Sequence, residues 1–208
     1  GNNSSLSIHV VSSADTDTYS AVASAVGSLK GRRHGGANCK VMEMMDEIKK
    51  RIKDWSSEKE VAAYLHKIIQ KKAGDGSGLV YGMGHAVYTV SDPRAVLLSK
   101  KAEELAREKG CMDEYGLYRL IEKLAPKILE EEKGGDKQIC ANVDFYSGFV
   151  YSMLNIPREL FTPIFAVSRI AGWSAHRIEE VVSGGRIYRP AYQNVMSERS
   201  YIPMARRT

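Results

Sequence analysis

Long apolar runs are missing from this 208-residue chain. Every hydrophobic stretch is cut within a few residues by Lys, Glu, Ser or Gly, so nothing approaches the roughly 20 apolar residues that a membrane-crossing helix needs. No signal-peptide pattern is visible either. Cysteine is scarce: Cys39, Cys111 and Cys140 are widely spaced and form neither a metal-binding pattern nor a disulfide framework. A reducing compartment is therefore expected, and a cytoplasmic location with it. Blocks of one charge sign are absent as well. The formal net charge is +5, yet the lysines alternate with glutamates in segments such as "KKAEELAREKG", which describes a solvated helix face rather than a nucleic-acid surface. A diffuse positive field of this kind suits an anionic small molecule. The start at Gly1 instead of Met leads to the expectation that the chain is part of something longer.

Helix patterns dominate what is present. With 43% hydrophobic residues the chain can bury a real core. "TDTYSAVASAVGSLKG" is alanine-rich and closes on Lys30 and Gly31. "VMEMMDEIKKRIKD" puts Val41, Met44, Met45, Ile48 and Ile52 on one stripe. Ser57 with Glu60 predicts a capping box for a helix whose apolar face carries Val61, Leu65, Ile68 and Ile69. "GDGSG" at 74–78 ends it. A helix is predicted from Pro93 to near Gly110, and another over 113–132 with a kink or break at Pro126. One more starts at or near Asp144 and stops before Pro157; two follow, interrupted around Gly172. The basic tail from Arg186 is irregular. Strand is limited to scraps, so the class is all-α.

Three stretches carry reactive side chains at loops or helix ends instead of on apolar stripes. They are "KGRRHGGAN" with His34, "GMGHAVYTVSDPR" with His85 and Arg94, and "NVDFYSG" with Asp144. In the second, Gly82 and Gly84 free the backbone to bend, and Asp92 followed by Pro93 is a helix start that fixes Arg94 in the first turn. A donor/acceptor imidazole beside a fork-shaped cation suits a small ligand with carbonyl and carboxylate oxygens. His66 reads as part of a solvated helix. His9 and His176 have no matched chemical role, and the methionines of "VMEMM" read as helix packing, not a metal site.

The order HGGAN, GxGHxVYxxxDPR, NVDxxSG, "SRIAGW", "RP" resembles the citrate synthase family across nearly the whole chain. The resemblance implies an enzyme that condenses acetyl-CoA with oxaloacetate and hydrolyses the resulting thioester. It implies that Asp144 takes the proton from the acetyl methyl group, His34 donates to the thioester oxygen, and His85 polarises the ketone. Arg94, Arg169 and Arg189 would hold carboxylates, Arg189 in the neighbouring subunit's site of a homodimer. Val80, Tyr81, Gly82, Met83 and Gly84 would approach the CoA adenine with their backbone. No metal and no tightly bound cofactor are implied; acetyl-CoA is a substrate. The chemistry asks for this set, because a thioester methyl group is a very weak acid and one base needs an opposing donor.

By the same resemblance, residues 39–146 form most of a small CoA-contacting domain, with 1–38 and 147–208 belonging to a large domain and the C-terminal tail. The chain is expected to be the C-terminal part of such an enzyme, inactive alone, with a further oxaloacetate-binding histidine upstream. Two departures stand out. Arg32 replaces a usual proline, and Thr89 replaces a basic residue near the CoA phosphates. Alternatives are a 2-methylcitrate synthase using propionyl-CoA and a non-catalytic CoA-binding helical module.

Overall fold

Eight α-helices run through the computed structural model, which describes residues 2–31, 34–134 and 138–207. They are α1 (Asn3–Ser12), α2 (Thr18–Lys30), α3 (Ala37–Arg51), α4 (Glu58–Ile69), α5 (Pro93–Lys109), α6 (Met112–Lys133), α7 (Val143–Met153) and α8 (Phe161–Val182). Short 3₁₀ turns cover Arg158–Leu160 and Met204–Arg206. Among the described residues there is no strand, only an antiparallel bridge between Met83 and Ala141. The all-α class holds. Arg32 lies outside the described residues.

The apolar stripes read from the sequence form the core. Val41, Met45 and Ile48 of α3 meet Val61 and Leu65 of α4, Tyr118, Ile121 and Ala125 of α6, and Phe145 and Phe149 of α7. Full burial of a large apolar side chain contributes about 1.5–3 kcal/mol, so this cluster dominates the local energetics. A smaller cluster joins α1, α2 and α8 through Ile8, Ala21, Ala25, Leu29 and Trp173. Arg177 of α8 ties the same three together: its guanidinium donates to Ser12 Oγ, Thr16 O and Thr18 Oγ1.

Several local expectations need correction. Helix α1 is absent from the sequence reading, because "NSSLSIHVVS" is rich in serine and β-branched residues of modest helix propensity. Asn2 caps it by accepting from Ser5 N, and burial of Ile8 against α2 and α8 outweighs propensity. Helix α6 passes through Pro126 unbroken; Ile121, Leu124, Ala125 and Ile128 are buried on both sides of the proline and offset the lost hydrogen bond. Gly172 does not interrupt α8 either, since the adjacent Trp173 is completely buried against α1 and α2. Only half of the predicted capping box forms. Ser57 Oγ accepts from Glu60 N at 3.3 Å, but the Glu60 carboxylate takes the N–H groups of Lys53 and Asp54 instead of that of Ser57.

Large apolar side chains stay exposed on the smaller cluster's outer faces: Leu6 and Val10 on α1, Tyr19 on α2, Val167, Ile178 and Val182 on α8. The chain from Gly184 to Arg207 is exposed throughout. Among the described residues, no helix is long and apolar enough to cross a membrane.

Candidate active site

His34 follows α2 in a tight turn, with its own N–H and that of Gly35 both donating to Gly31 O at 2.8 and 3.1 Å. Gly35 is required there: a Cβ would stand 2.2 Å from Leu29 O and 2.8 Å from Thr162 Cγ2. Thr162 of α8 donates to Gly35 O at 2.8 Å and closes the turn. The imidazole Nε2 lies 3.0 Å from Ser4 Oγ, which also accepts from Trp173 Nε1 at 3.3 Å. The Ser4 hydroxyl donates its one proton to Asn2 Oδ1 at 2.8 Å, so at His34 it accepts, and the neutral ring carries its proton on Nε2. Burial first, and the charge of Arg169 as well, hold the His34 pKa below the ordinary imidazole value, so the ring is a neutral donor.

His85 leaves the glycine loop in a turn of its own making. Its Nδ1 accepts from Val87 N at 3.0 Å and Tyr88 N at 3.2 Å, which places the proton of the neutral ring on Nε2. Those two bonds also explain why the strand-like "HAVYTV" is no strand, since the side chain takes N–H groups a ladder would use. Burial and the nearby Arg94 cation lower the His85 pKa. The loop behind it is stitched to the segment before α7: Gly84 N donates to Cys140 O, Asn142 N to Gly82 O, and Asn142 Nδ2 to Gly84 O, each at 2.8 Å. Gly82 has φ +81°, and a Cβ there would meet Phe145 at 2.8 Å. The glycine sets how closely the loop packs on α7.

Asp92 is the residue that sequence reasoning undervalued. Read as a helix cap, it does accept from Arg94 N, but its carboxylate is almost fully buried and does more. It grips the Arg94 side chain through Nε at 3.0 Å and Nη2 at 2.8 Å, and it accepts from Val143 N at the start of α7. Burial by itself would raise the Asp92 pKa; the bonds from Arg94 outweigh it and the net shift is downward. One carboxylate thus registers the beginnings of α5 and α7 against each other.

Asp144 sits in the first turn of α7. The cap is Asn142, whose side chain accepts from Asp144 N at 3.0 Å, so the Asp144 carboxylate is not spent on capping. Burial pushes its pKa up to about 6 against the pull of Arg94 and Arg169. Arg169, on α8, has its guanidinium 4.8 Å over the Phe165 ring, and burial followed by repulsion from Arg94 lowers its pKa.

His34, His85, Arg94, Asp144 and Arg169 line one cavity of about 180 Å³, together with Asn38, Asn142 and Phe165. Asn38 Oδ1 is buried in that wall with no hydrogen-bond partner, an acceptor available to a ligand donor. Neither Asn38 nor Ser4 is foreseeable from sequence spacing, although Asn38 ends the HGGAN motif. Arg189 is not part of the cavity; it lies on the exposed C-terminal segment. The glycine-loop residues face elsewhere: Tyr81 borders a pocket with Lys40 and Asp75, and Val80 and Met83 border another with Lys133. A larger groove of about 860 Å³ beside Trp55 and Arg119 contains none of the sequence-predicted residues.

The family model for the citrate synthase C-terminal domain matches residues 1–191. The chain belongs to the citrate synthase family. It is 42% identical to a citrate synthase of Synechocystis over 207 residues, covering 99% of this chain and 48% of that protein. Similarity extends to the 2-methylcitrate synthase of Shewanella oneidensis, 35% identical over 207 residues, 99% of this chain and 50% of the relative. Among solved structures, the citrate synthase of Thermoplasma acidophilum in ternary complex with carboxymethyl coenzyme A and oxaloacetate has a TM-score of 0.79 at 32% identity, covering 100% of this chain and 51% of that one. The chain spans about half the length of the curated citrate synthases it matches.

Proposed function

We propose that the chain supplies the condensing machinery of a citrate synthase, joining the methyl carbon of acetyl-CoA to the ketone carbon of oxaloacetate. The observation that carries this is the shared cavity of His34, His85, Arg94, Asp144 and Arg169. Asp144 takes a methyl proton while His34 donates to the thioester oxygen, so the enol forms without a free enolate. A carboxylate with a pKa of about 6 is a stronger base than an ordinary one and is still ionised at neutral pH. The enol carbon attacks the ketone as the thioester carbonyl re-forms and its proton returns to His34; the ketone oxygen takes a proton from His85 Nε2, and the proton held on Asp144 makes good that loss. Arg94 and Arg169 hold the two carboxylates of the dianion as bidentate forks. Water then cleaves the thioester and releases citrate and CoA thiol.

The remaining roles rest on the resemblance. The backbone of Val80 to Gly84 receives the adenine of CoA, and Arg189 reaches the site of a second subunit in a homodimer. Residues 39–146 form the small domain and the flanking segments the large one. The exposed apolar faces of α1, α2 and α8 support a large domain and dimer surface to which they belong, and support the proposal that the chain alone does not turn over.

The test is oxaloacetate-dependent release of CoA thiol from acetyl-CoA, measured for the chain alone and for the chain joined to the part of the Synechocystis relative that it does not span. The joined protein turns over, and Asp144→Asn lowers its kcat by orders of magnitude while the affinity for oxaloacetate changes much less. Near-normal turnover of that variant removes Asp144 as the base. Similarity to 2-methylcitrate synthases keeps propionyl-CoA as a second substrate reading. One methylene is worth about 1–3 kcal/mol in a pocket, so the ratio of kcat/KM for the two thioesters decides it.

A further inference from the structure

His9, His176 and Glu179 do not line the cavity, yet they meet across the α1–α8 contact. His9 Nε2 is 3.0 Å from His176 Nδ1 and 3.9 Å from Glu179 Oε2, and His176 Nδ1 is 3.5 Å from the same oxygen. A tetrahedral ion with ligand bonds of about 2.0–2.2 Å puts its ligand atoms about 3.3–3.6 Å apart, and the three separations fall on both sides of that range. The three atoms stand within reach of one such ion.

The surroundings are those of a metal-binding histidine. His9 Nδ1 donates to Glu180 Oε2 at 2.7 Å, and Tyr188 OH donates to the same oxygen at 2.9 Å. Glu180 is buried, with 9% of its surface exposed, so it is a fixed acceptor rather than a mobile surface carboxylate. A carboxylate on Nδ1–H holds the ring in the tautomer whose bare Nε2 points at His176 and Glu179. Glu179 is open to solvent, which leaves the fourth corner for water.

We propose that His9, His176 and Glu179 form a binding site for a divalent transition-metal ion of the zinc type, with Glu180 orienting His9 and with a solvent molecule completing the tetrahedron. Two imidazoles and one carboxylate match the ligand preference of such ions and disfavour Mg²⁺ or Ca²⁺. The sequence pattern predicts no metal, because residues 9 and 176 acquire a common role only when α1 packs on α8. A bound ion would pin these two helices, one capped by the cavity residue Asn2 and the other carrying Phe165 and Arg169.

The test uses the purified protein, freed of metal with a chelator and titrated with Zn²⁺ against a chromogenic competitor. The expected result is a saturable site that His176→Gln weakens at least a hundredfold. Glu180→Gln, which leaves the three ligands in place, weakens it about 10–100-fold. His66→Gln, at a histidine paired with Glu132 on another face, leaves it unchanged. Co²⁺ gives the intense visible absorption of a tetrahedral centre in the wild type and loses it in His176→Gln. His176 is partly exposed, so this variant folds, and a circular dichroism melt without metal checks that. No saturable binding, binding indifferent to His176→Gln and Glu180→Gln, or an octahedral Co²⁺ spectrum each overturns the proposal.

Discussion

Replacing Asp144 by Asn is expected to make the folded chain more stable at neutral pH, a mark of a carboxylate held in unfavourable surroundings. Folding raises the Asp144 pKa from an ordinary 3.8 to about 6. At about 1.4 kcal/mol for each tenfold change in ionisation, keeping Asp144 charged in the fold costs up to about 3 kcal/mol; partial solvent access brings the expectation to about 1–3 kcal/mol. The sign follows from proton counting. Below pH 3.8 both folded and unfolded chains are protonated and the cost vanishes. Between pH 4 and 6 the unfolded chain releases its proton first, so stability falls as pH rises, and above 6 the full cost persists. The lowered pKa values of His34 and His85 act in the opposite sense, but they are common to both proteins and cancel in the comparison. Urea unfolding of wild type and Asp144→Asn at pH 3.5 and pH 7.5 therefore gives a stability gain for the variant at pH 7.5 that largely disappears at pH 3.5. Equal stability at pH 7.5, a loss there, or the same gain at both pH values refutes the reasoning.

Three further outcomes are expected. Gly82→Ala destabilises by about 2 kcal/mol or more in thermal or urea melts, because the position has φ +81° and its Cβ would meet Phe145 at 2.8 Å. Asp92→Asn loses about 1–3 kcal/mol in urea melts, since it weakens the grip on Arg94 and on Val143 N; in the joined protein, KM for oxaloacetate rises more than kcat falls. In mixed dimers carrying Arg189→Ala on one chain and Asp144→Asn on the other, activity of one intact site returns if Arg189 crosses to its neighbour, and heterodimers without activity count against it.

The apolar stripes of α3 and α4 were legible because burial there follows helical periodicity, and Val41, Met45, Leu65 and Ile68 are all buried as spaced. Helix α1 was not, since its serines and β-branched residues form a helix only through contacts with Trp173 and Leu29, distant in sequence. No break forms at Pro126 and no interruption at Gly172 for the same reason: tertiary packing on either side exceeds a local deficit. At the cavity, motifs identified the reactive groups but not what positions them. Asp92 looks like any helix cap until α7 brings Val143 N to its second oxygen, and Ser4 is unremarkable until His34 and Trp173 converge on it. The His9 and His176 pair is the extreme case, with partners 167 positions apart.

The most direct test of the account is where oxaloacetate binds. A crystal structure of the joined protein with oxaloacetate and a non-reacting CoA thioester analogue is predicted to place the dicarboxylate in the cavity of His34, His85 and Asp144. Its carboxylates would lie on Arg94 and Arg169, its ketone oxygen within hydrogen-bond distance of His85 Nε2, and the analogue's methyl-equivalent carbon against Asp144. Oxaloacetate bound elsewhere, for instance in the groove beside Trp55, or bound in the cavity with its ketone turned away from His85, would contradict it.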